Sequence, residues 1–212
     1  MSLRKYLVEF IGTFFLVATI GFTVLKPNDA GNMAPLAIGS ALMVMIFAGG
    51  HISGAHYNPA VTLAVFLRGK CPAADVVPYM AAQVLGAIVA AFIVPWVKGG
   101  SQAEAGNPDV PKVLMVEFLY TFALCYVVLN VATAKGTSGN SFYGLAIGFT
   151  VLTGAYSVGA VSGGAFNPAV AVGVTLMGLS KMANIWLFLA ANFVAAIVAA
   201  GIFKFVNADD KD

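Results

Sequence analysis

The chain has 212 residues, of which 60% are hydrophobic and only 9% are charged. A soluble domain carries about a quarter charged residues, so this composition excludes an ordinary soluble domain and indicates an integral membrane protein. The net charge is +2 and the basic residues form no cluster, which gives no footing for a nucleic-acid partner.

The first predicted helix runs from Lys5 to Leu25. It is long, contains Glu9 and lacks a small-x-small cleavage pattern before a polar start, so it reads as a retained transmembrane helix and not as a signal peptide. Lys26-Pro27-Asn28-Asp29 breaks it with turn chemistry. The second helix is predicted over Pro35 to Gly49, ending at Gly49-Gly50. A short apolar run then reaches Arg68. The third helix is predicted over Asp75 to Val97, and a polar connection from Lys98 to Lys112 follows. The fourth is predicted over Val113 to Ala134, the fifth over Phe142 to Val158. After a second short apolar run, the sixth is predicted over Asn184 to Phe205, with a charged tail, Asp209 to Asp212, expected to fray.

Each short run follows the same pattern. The first is Ser53-Gly54-Ala55-His56-Tyr57-Asn58-Pro59-Ala60-Val61, the second Ser162-Gly163-Gly164-Ala165-Phe166-Asn167-Pro168-Ala169-Val170. Asn is a favoured N-cap, and Pro suits the first helical position because its missing N–H would be unpaired there. Each Asn-Pro therefore starts a helix. About ten residues rise roughly 15 Å, about half a bilayer core. Two half-span helices in equivalent places point to a transport path at the midplane.

The whole chain repeats. At an offset of 109, Leu36-Ala37-Ile38-Gly39 matches Leu145-Ala146-Ile147-Gly148, and Gln83 falls on Asn192. At an offset of 108, Val8-Glu9-Phe10 matches Val116-Glu117-Phe118. The predicted fold is thus all-α and membrane-embedded: one domain, 1–212, of six transmembrane helices and two re-entrant half-helices, built from repeats 1–107 and 108–212. Three spans per repeat return the chain to the opposite side, so the second repeat is inverted. Seven Lys and Arg (Arg4, Lys5, Arg68, Lys70, Lys135, Lys204, Lys211) then share the side of the termini, against four (Lys26, Lys98, Lys112, Lys181) on the other. That bias puts both termini in the cytoplasm.

Irregular backbone at membrane depth is tolerated where it is buried in protein or lines water. The segments Gly50 to Tyr57 and Gly159 to Phe166 are therefore expected to offer carbonyl acceptors to an aqueous path. Two half-helix N-termini aimed at one point add about half a positive charge each. Such a centre donates hydrogen bonds to the oxygen of a neutral hydroxyl and repels cations.

The paired Asn-Pro-Ala motifs, the inverted halves and Gly50-His51-Ile52-Ser53-Gly54 before the first motif resemble the aquaporin (major intrinsic protein) family over essentially the whole chain. The resemblance implies a homotetramer with one pore per subunit, passive flow, and a pore centre at Asn58, Pro59, Ala60, Asn167, Pro168 and Ala169. It also implies a four-residue constriction, which falls here on Ile38, Ala155, Gly164 and Val170. Water-selective members carry Arg where this chain has Val170, and glycerol facilitators follow that Arg with Asp where this chain has Ala171. The expected filter is wide and uncharged. It suits water, glycerol, small polyols, ammonia or neutral metalloid hydroxides. The alternative is a water-selective pore refilled by Tyr57, Tyr156 or Phe166.

Glu9 and Glu117 are intramembrane carboxylates, which flag function by default. Their symmetric placement favours support of the re-entrant loops by hydrogen bonds over a proton relay, and His51 is expected to support the first loop. Gln83 and Asn192 are expected to bond between helices. No nucleophile–base pair, phosphate loop or metal-ligand cluster is visible, so no enzyme, cofactor or metal is expected. A coupled transporter would want ion ligands at the midplane, where the half-helix starts offer Asn and backbone N–H instead. Cys71 and Cys125 read as free thiols. The short loops and missing targeting segment suggest a prokaryotic inner membrane.

Overall fold

The computed structural model describes residues 2–100, 103 and 105–210, and among them the regular structure is entirely helical. Eight α-helices follow in order: α1 (Ser2–Val24), α2 (Ala34–Ser53), α3 (Pro59–Arg68), α4 (Ala73–Val97), α5 (Val110–Thr133), α6 (Tyr143–Ser162), α7 (Pro168–Leu176) and α8 (Ile185–Val206). Six of them, all but α3 and α7, are long and apolar enough to cross a membrane. The two short helices have 10 and 9 residues. Asn58 caps α3 by accepting the Ala60 and Val61 N–H groups, and Asn167 caps α7 through Ala169 and Val170. At the far end of α3, Gly69 takes a left-handed conformation (φ 91°) and returns its N–H to Phe66 and Val65.

Several boundaries differ from the sequence reading. α2 and α6 run a turn further, to Ser53 and Ser162, so each irregular loop shrinks to four residues. Gly49 does not end α2. It is there because the Tyr57 hydroxyl lies against that face of the helix, where a Cβ would collide with it. α5 starts at Val110 because Asp109 caps it, accepting the Lys112 N–H at 3.4 Å. The Lys112 ammonium, 2.7 Å away, holds the exposed Asp109 carboxyl below its ordinary range by hydrogen bonding.

α1 packs along α4, α5 along α8, and α2 crosses α6. The half-helices lie inside this frame, α3 against α8, α5 and α4, and α7 against α4, α8 and α1. Small residues make the close crossings. A Cβ on Gly39 would sit 2.8 Å from the Gly148 carbonyl oxygen, and one on Gly148 would sit 2.5 Å from that of Gly39. Gly148→Leu is therefore expected to lower the melting temperature in detergent, with an overpacking cost of about 1–3 kcal/mol. Gly201→Leu, where a Cβ meets nothing, serves as the neutral control. Equal melting of the two variants would contradict a tight α2–α6 crossing.

The expected fraying of the tail also needs correction. Asp210 is docked: its carboxylate accepts Arg68 Nη2 at 3.0 Å and the Lys135 N–H at 2.9 Å. The Arg68 guanidinium, 5% exposed, also lies 5.0 Å over the Phe203 ring. The tail thereby joins the end of α3 to the α5–α6 turn. Lys211 and Asp212 lie outside the described residues. Cys71 and Cys125 are both free and buried.

Candidate functional site

The two four-residue loops carry unusual backbone at mirrored positions. Gly54 and Gly163 have φ of 85° and 87°, Ala55 and Gly164 have 51° and 66°, and Tyr57 and Phe166 have 49° and 47°. Left-handed residues other than glycine cost of order 1–3 kcal/mol each, so something must hold these in place.

Two carboxylates do. Glu9 on α1 accepts four hydrogen bonds: from the Ser53 hydroxyl (2.7 Å), the His56 N–H (3.0 Å), the Tyr57 N–H (2.7 Å) and Gln83 Nε2 (2.7 Å). Glu117 on α5 repeats the set with Ser162 (2.7 Å), Ala165 (3.0 Å), Phe166 (2.8 Å) and Asn192 Nδ2 (3.1 Å). Both side chains are fully buried. Hydrogen bonds to a charged acceptor contribute roughly 1.5–3 kcal/mol each, more than enough to offset the backbone strain. Gln83 and Asn192 thus bridge helices, and each makes a second bond, to Thr62 (3.0 Å) and Thr121 (2.8 Å) respectively. His51 is not part of this arrangement. It lies exposed on the last turn of α2, and its side chain makes no hydrogen bond among the described residues. His56 is the histidine at the loop, with Nδ1 3.1 Å from the Thr62 hydroxyl and its ring 5.1 Å from that of Tyr79.

The loops also hold each other. Asn58 Nδ2 donates to the Phe166 carbonyl at 2.9 Å, and Asn167 Nδ2 donates to the Tyr57 carbonyl at 2.8 Å. An amide nitrogen has two N–H groups, so each Asn keeps one for the space between them. Among the described residues the carbonyls of Gly54, Ala55 and His56, and of Gly163, Gly164 and Ala165, accept no hydrogen bond. Ala55, His56, Gly164 and Ala165 line the same central cavity as the two asparagines. The site therefore has donors at its middle, acceptors on either side, and two half-helix N-termini converging on it.

A path runs through this point. On the side away from the termini, a cavity of about 260 Å³ lies beside Val113, Ser162 and Leu187. It shares Ser162 and Leu179 with a cavity of about 150 Å³. That one shares Ile38, Gly164 and Val170 with the central lumen, about 30 Å³ around Asn58 and Asn167. His56 and Val128 belong both to the lumen and to the next cavity, about 280 Å³. The last, about 680 Å³, opens beside Lys135 and Asn140 on the side of the termini.

Ile38, Ala155, Gly164 and Val170 all line the 150 Å³ cavity, and among the described residues no charged side chain lines it. The three aromatics that could refill it are engaged elsewhere. Tyr57 is buried with its hydroxyl on the Met45 carbonyl (2.9 Å). Phe166 is buried, its ring centroid 5.4 Å from that of Tyr120, and the Tyr156 hydroxyl donates to the Asn32 carbonyl (2.9 Å). None of the three lines that cavity.

The sequence profile described as "Major intrinsic protein" matches residues 1–203. The chain is 37% identical to a glycerol uptake facilitator protein-like 6 of Lactiplantibacillus plantarum, covering 98% of this chain and 100% of that protein. It is 36% identical to aquaporin NIP1-3 of Oryza sativa subsp. japonica, covering 98% of this chain and 75% of that one. The fold is similar to the crystal structure of the aquaglyceroporin from Plasmodium falciparum, with a TM-score of 0.82 at 22% identity, covering 98% of each chain. With its two capped half-helices, its paired loops and the path between them, the chain belongs to the major intrinsic protein family and is a membrane channel.

Proposed function

We propose that this channel passes water and small uncharged solutes passively, through a wide filter formed by Ile38, Ala155, Gly164 and Val170. The solutes are glycerol, small polyols, ammonia or neutral metalloid hydroxides. The observation that carries this reading is the 150 Å³ cavity lined by all four residues, with no charged side chain around it among the described residues. Without a cation at position 170, no fixed charge rejects cations at the outer ring. Proton exclusion then rests on the centre, where the Asn58-Pro59-Ala60 and Asn167-Pro168-Ala169 starts of α3 and α7 converge. Glu9 and Glu117 serve as loop supports. The relative named as a glycerol uptake facilitator-like protein fits a solute larger than water.

The channel works as one membrane domain of two inverted repeats, 1–107 and 108–212. It assembles as a homotetramer with one pore per subunit in a prokaryotic inner membrane. Both termini face the cytoplasm, as the Lys and Arg distribution favours.

The test is stopped-flow permeability of reconstituted liposomes, comparing wild type with Val170→Arg. Wild type is expected to conduct both glycerol and water. The Arg variant is expected to lose glycerol conduction by about tenfold or more while keeping water, since one tenfold step needs only about 1.4 kcal/mol of added barrier. A wild type that conducts water alone would overturn the wide filter in favour of a refilled, water-selective one.

A further inference from the structure

The two loops mirror each other in backbone and in their glutamate bonds, but not in what holds the residue before each asparagine. Tyr57 and Phe166 occupy matching places, with φ of 49° and 47°. Each supplies the carbonyl that the asparagine of the other loop bonds, Asn167 on Tyr57 and Asn58 on Phe166. The Phe166 side chain can only pack, its ring centroid 5.4 Å from that of Tyr120. Tyr57 also has a hydroxyl, which donates to the Met45 carbonyl on α2 at 2.9 Å.

The surroundings are shaped for that hydroxyl. At the offset of 108 that relates α1 to α5, Gly12 answers to Tyr120. At the offset of 109 that relates α2 to α6, Gly49 answers to Val158 and Met45 to Gly154. A Cβ on Gly12 would collide with the Tyr57 ring, and one on Gly49 with its hydroxyl. Two glycines thus open a slot between α1 and α2 that leads the hydroxyl to Met45. The second half has side chains at both matching positions, and its gap lies instead at Gly154, where a Cβ would sit 2.6 Å from the Phe166 ring.

Met45 lies inside α2, so its carbonyl already has a helical partner and the hydroxyl bond is an addition to it. What the bond holds is the Tyr57 side chain, and with it the left-handed residue whose carbonyl Asn167 grips. An amide group is planar with two N–H groups. Fixing one of them on that carbonyl therefore fixes the direction of the other.

We propose that Tyr57 is a positioning residue of the pore. Its hydroxyl on α2 holds the Tyr57 carbonyl in place and so aims the second Asn167 N–H at the passing molecule. Asn58 has no such anchor behind its acceptor. The two central donors are then unequal, Asn167 the fixed one and Asn58 the yielding one. The proposal rests on the reading of Asn58 and Asn167 as the pore centre.

The experiment measures water permeability in liposomes, and melting temperature, for wild type, Tyr57→Phe and the control Tyr6→Phe. The control removes a hydroxyl bond of 2.8 Å, to Asp75, outside both loops. Tyr57→Phe is expected to lower water permeability about threefold, the worth of one neutral hydrogen bond. Tyr6→Phe is expected to change melting alone. A double-mutant cycle then separates aim from packing. Asn167→Ser and Asn58→Ser each keep a good N-cap and remove the amide. Tyr57→Phe is expected to add nothing in the Asn167→Ser background and to keep its threefold effect in Asn58→Ser. Equal losses in both backgrounds, or wild-type permeability in Tyr57→Phe, would overturn the proposal. Asn167→Ser with wild-type permeability would overturn the pore-centre reading itself. If the serine variants fail to fold, the phenylalanine pair decides: a loss confined to Tyr57→Phe supports the anchor, and a loss in both that follows melting overturns it.

Discussion

Glu117→Ala is expected to leave no functional channel. The substitution removes four hydrogen bonds at once and strands the Ala165 and Phe166 N–H groups in a buried loop. Bonds to a charged acceptor contribute roughly 1.5–3 kcal/mol each, and their sum approaches the whole stability of a typical domain, about 5–15 kcal/mol. Poor recovery after detergent extraction and a collapsed melting curve are the expected readouts. Glu9→Ala should behave alike, because its set of partners is the mirror image. Glu117→Gln is the sharper variant. It keeps the volume, but one of its two terminal atoms becomes a donor facing other donors. The protein is expected to fold with a lowered melting temperature and about tenfold less permeability. If Glu117→Gln melted like wild type and lost only a pH-driven component of uptake, Glu117 would be a proton carrier instead of a support.

Asn167→Asp is expected to make the pore leak cations. Asp is as good an N-cap as Asn, so α7 keeps its start. What changes is the charge. The converging half-helix N-termini carry about half a positive charge each, and one carboxylate cancels them. The bond from Nδ2 to the Tyr57 carbonyl is lost as well. Liposomes loaded with a pH-sensitive dye are expected to acidify at least about tenfold faster with this variant than with wild type. Val170→Arg added to Asn167→Asp should restore much of the exclusion by placing a fixed cation elsewhere on the same path. An unchanged leak in Asn167→Asp would move the proton barrier away from the centre.

The two half-helices and the hydrogen bonds that the glutamates accept from the loops were legible because each rests on local chemistry. Asn-Pro starts a helix by its own geometry, and a carboxylate placed twice at equivalent depth calls for donors. The ends of α2 and α6 depart from the sequence pattern for a physical reason. Gly49-Gly50 looks like a stop signal, yet in α2 Gly49 clears room for the Tyr57 ring, a packing demand invisible before the fold is known. Ser53 and Ser162 were within the quoted motifs, and their hydroxyls prove to be ligands of the glutamates. Their matching positions just before each loop were the signal that could have identified them. Asp210 carried no such signal. Its partners, Arg68 and Lys135, lie 142 and 75 residues away, and nothing in a charged chain end announces a docking site. His51 is near the loop in sequence, but it lies on the exposed face of the last turn of α2.

The exchange of hydrogen bonds between Asn58 and Phe166, and between Asn167 and Tyr57, has a consequence for how the molecule is made. The partners are 108 and 110 residues apart. A ribosome that has just delivered Asn58 must add half the protein before the acceptor carbonyl exists. Until then α3 is a half-length helix whose loop lacks its counterpart, too short to span the bilayer by itself. Membrane insertion of the first repeat and closure of its pore loop are therefore separate events. The second half of the chain acts as the template that completes the first, and a nascent chain stalled before Phe166 would hold five long helices but no finished channel.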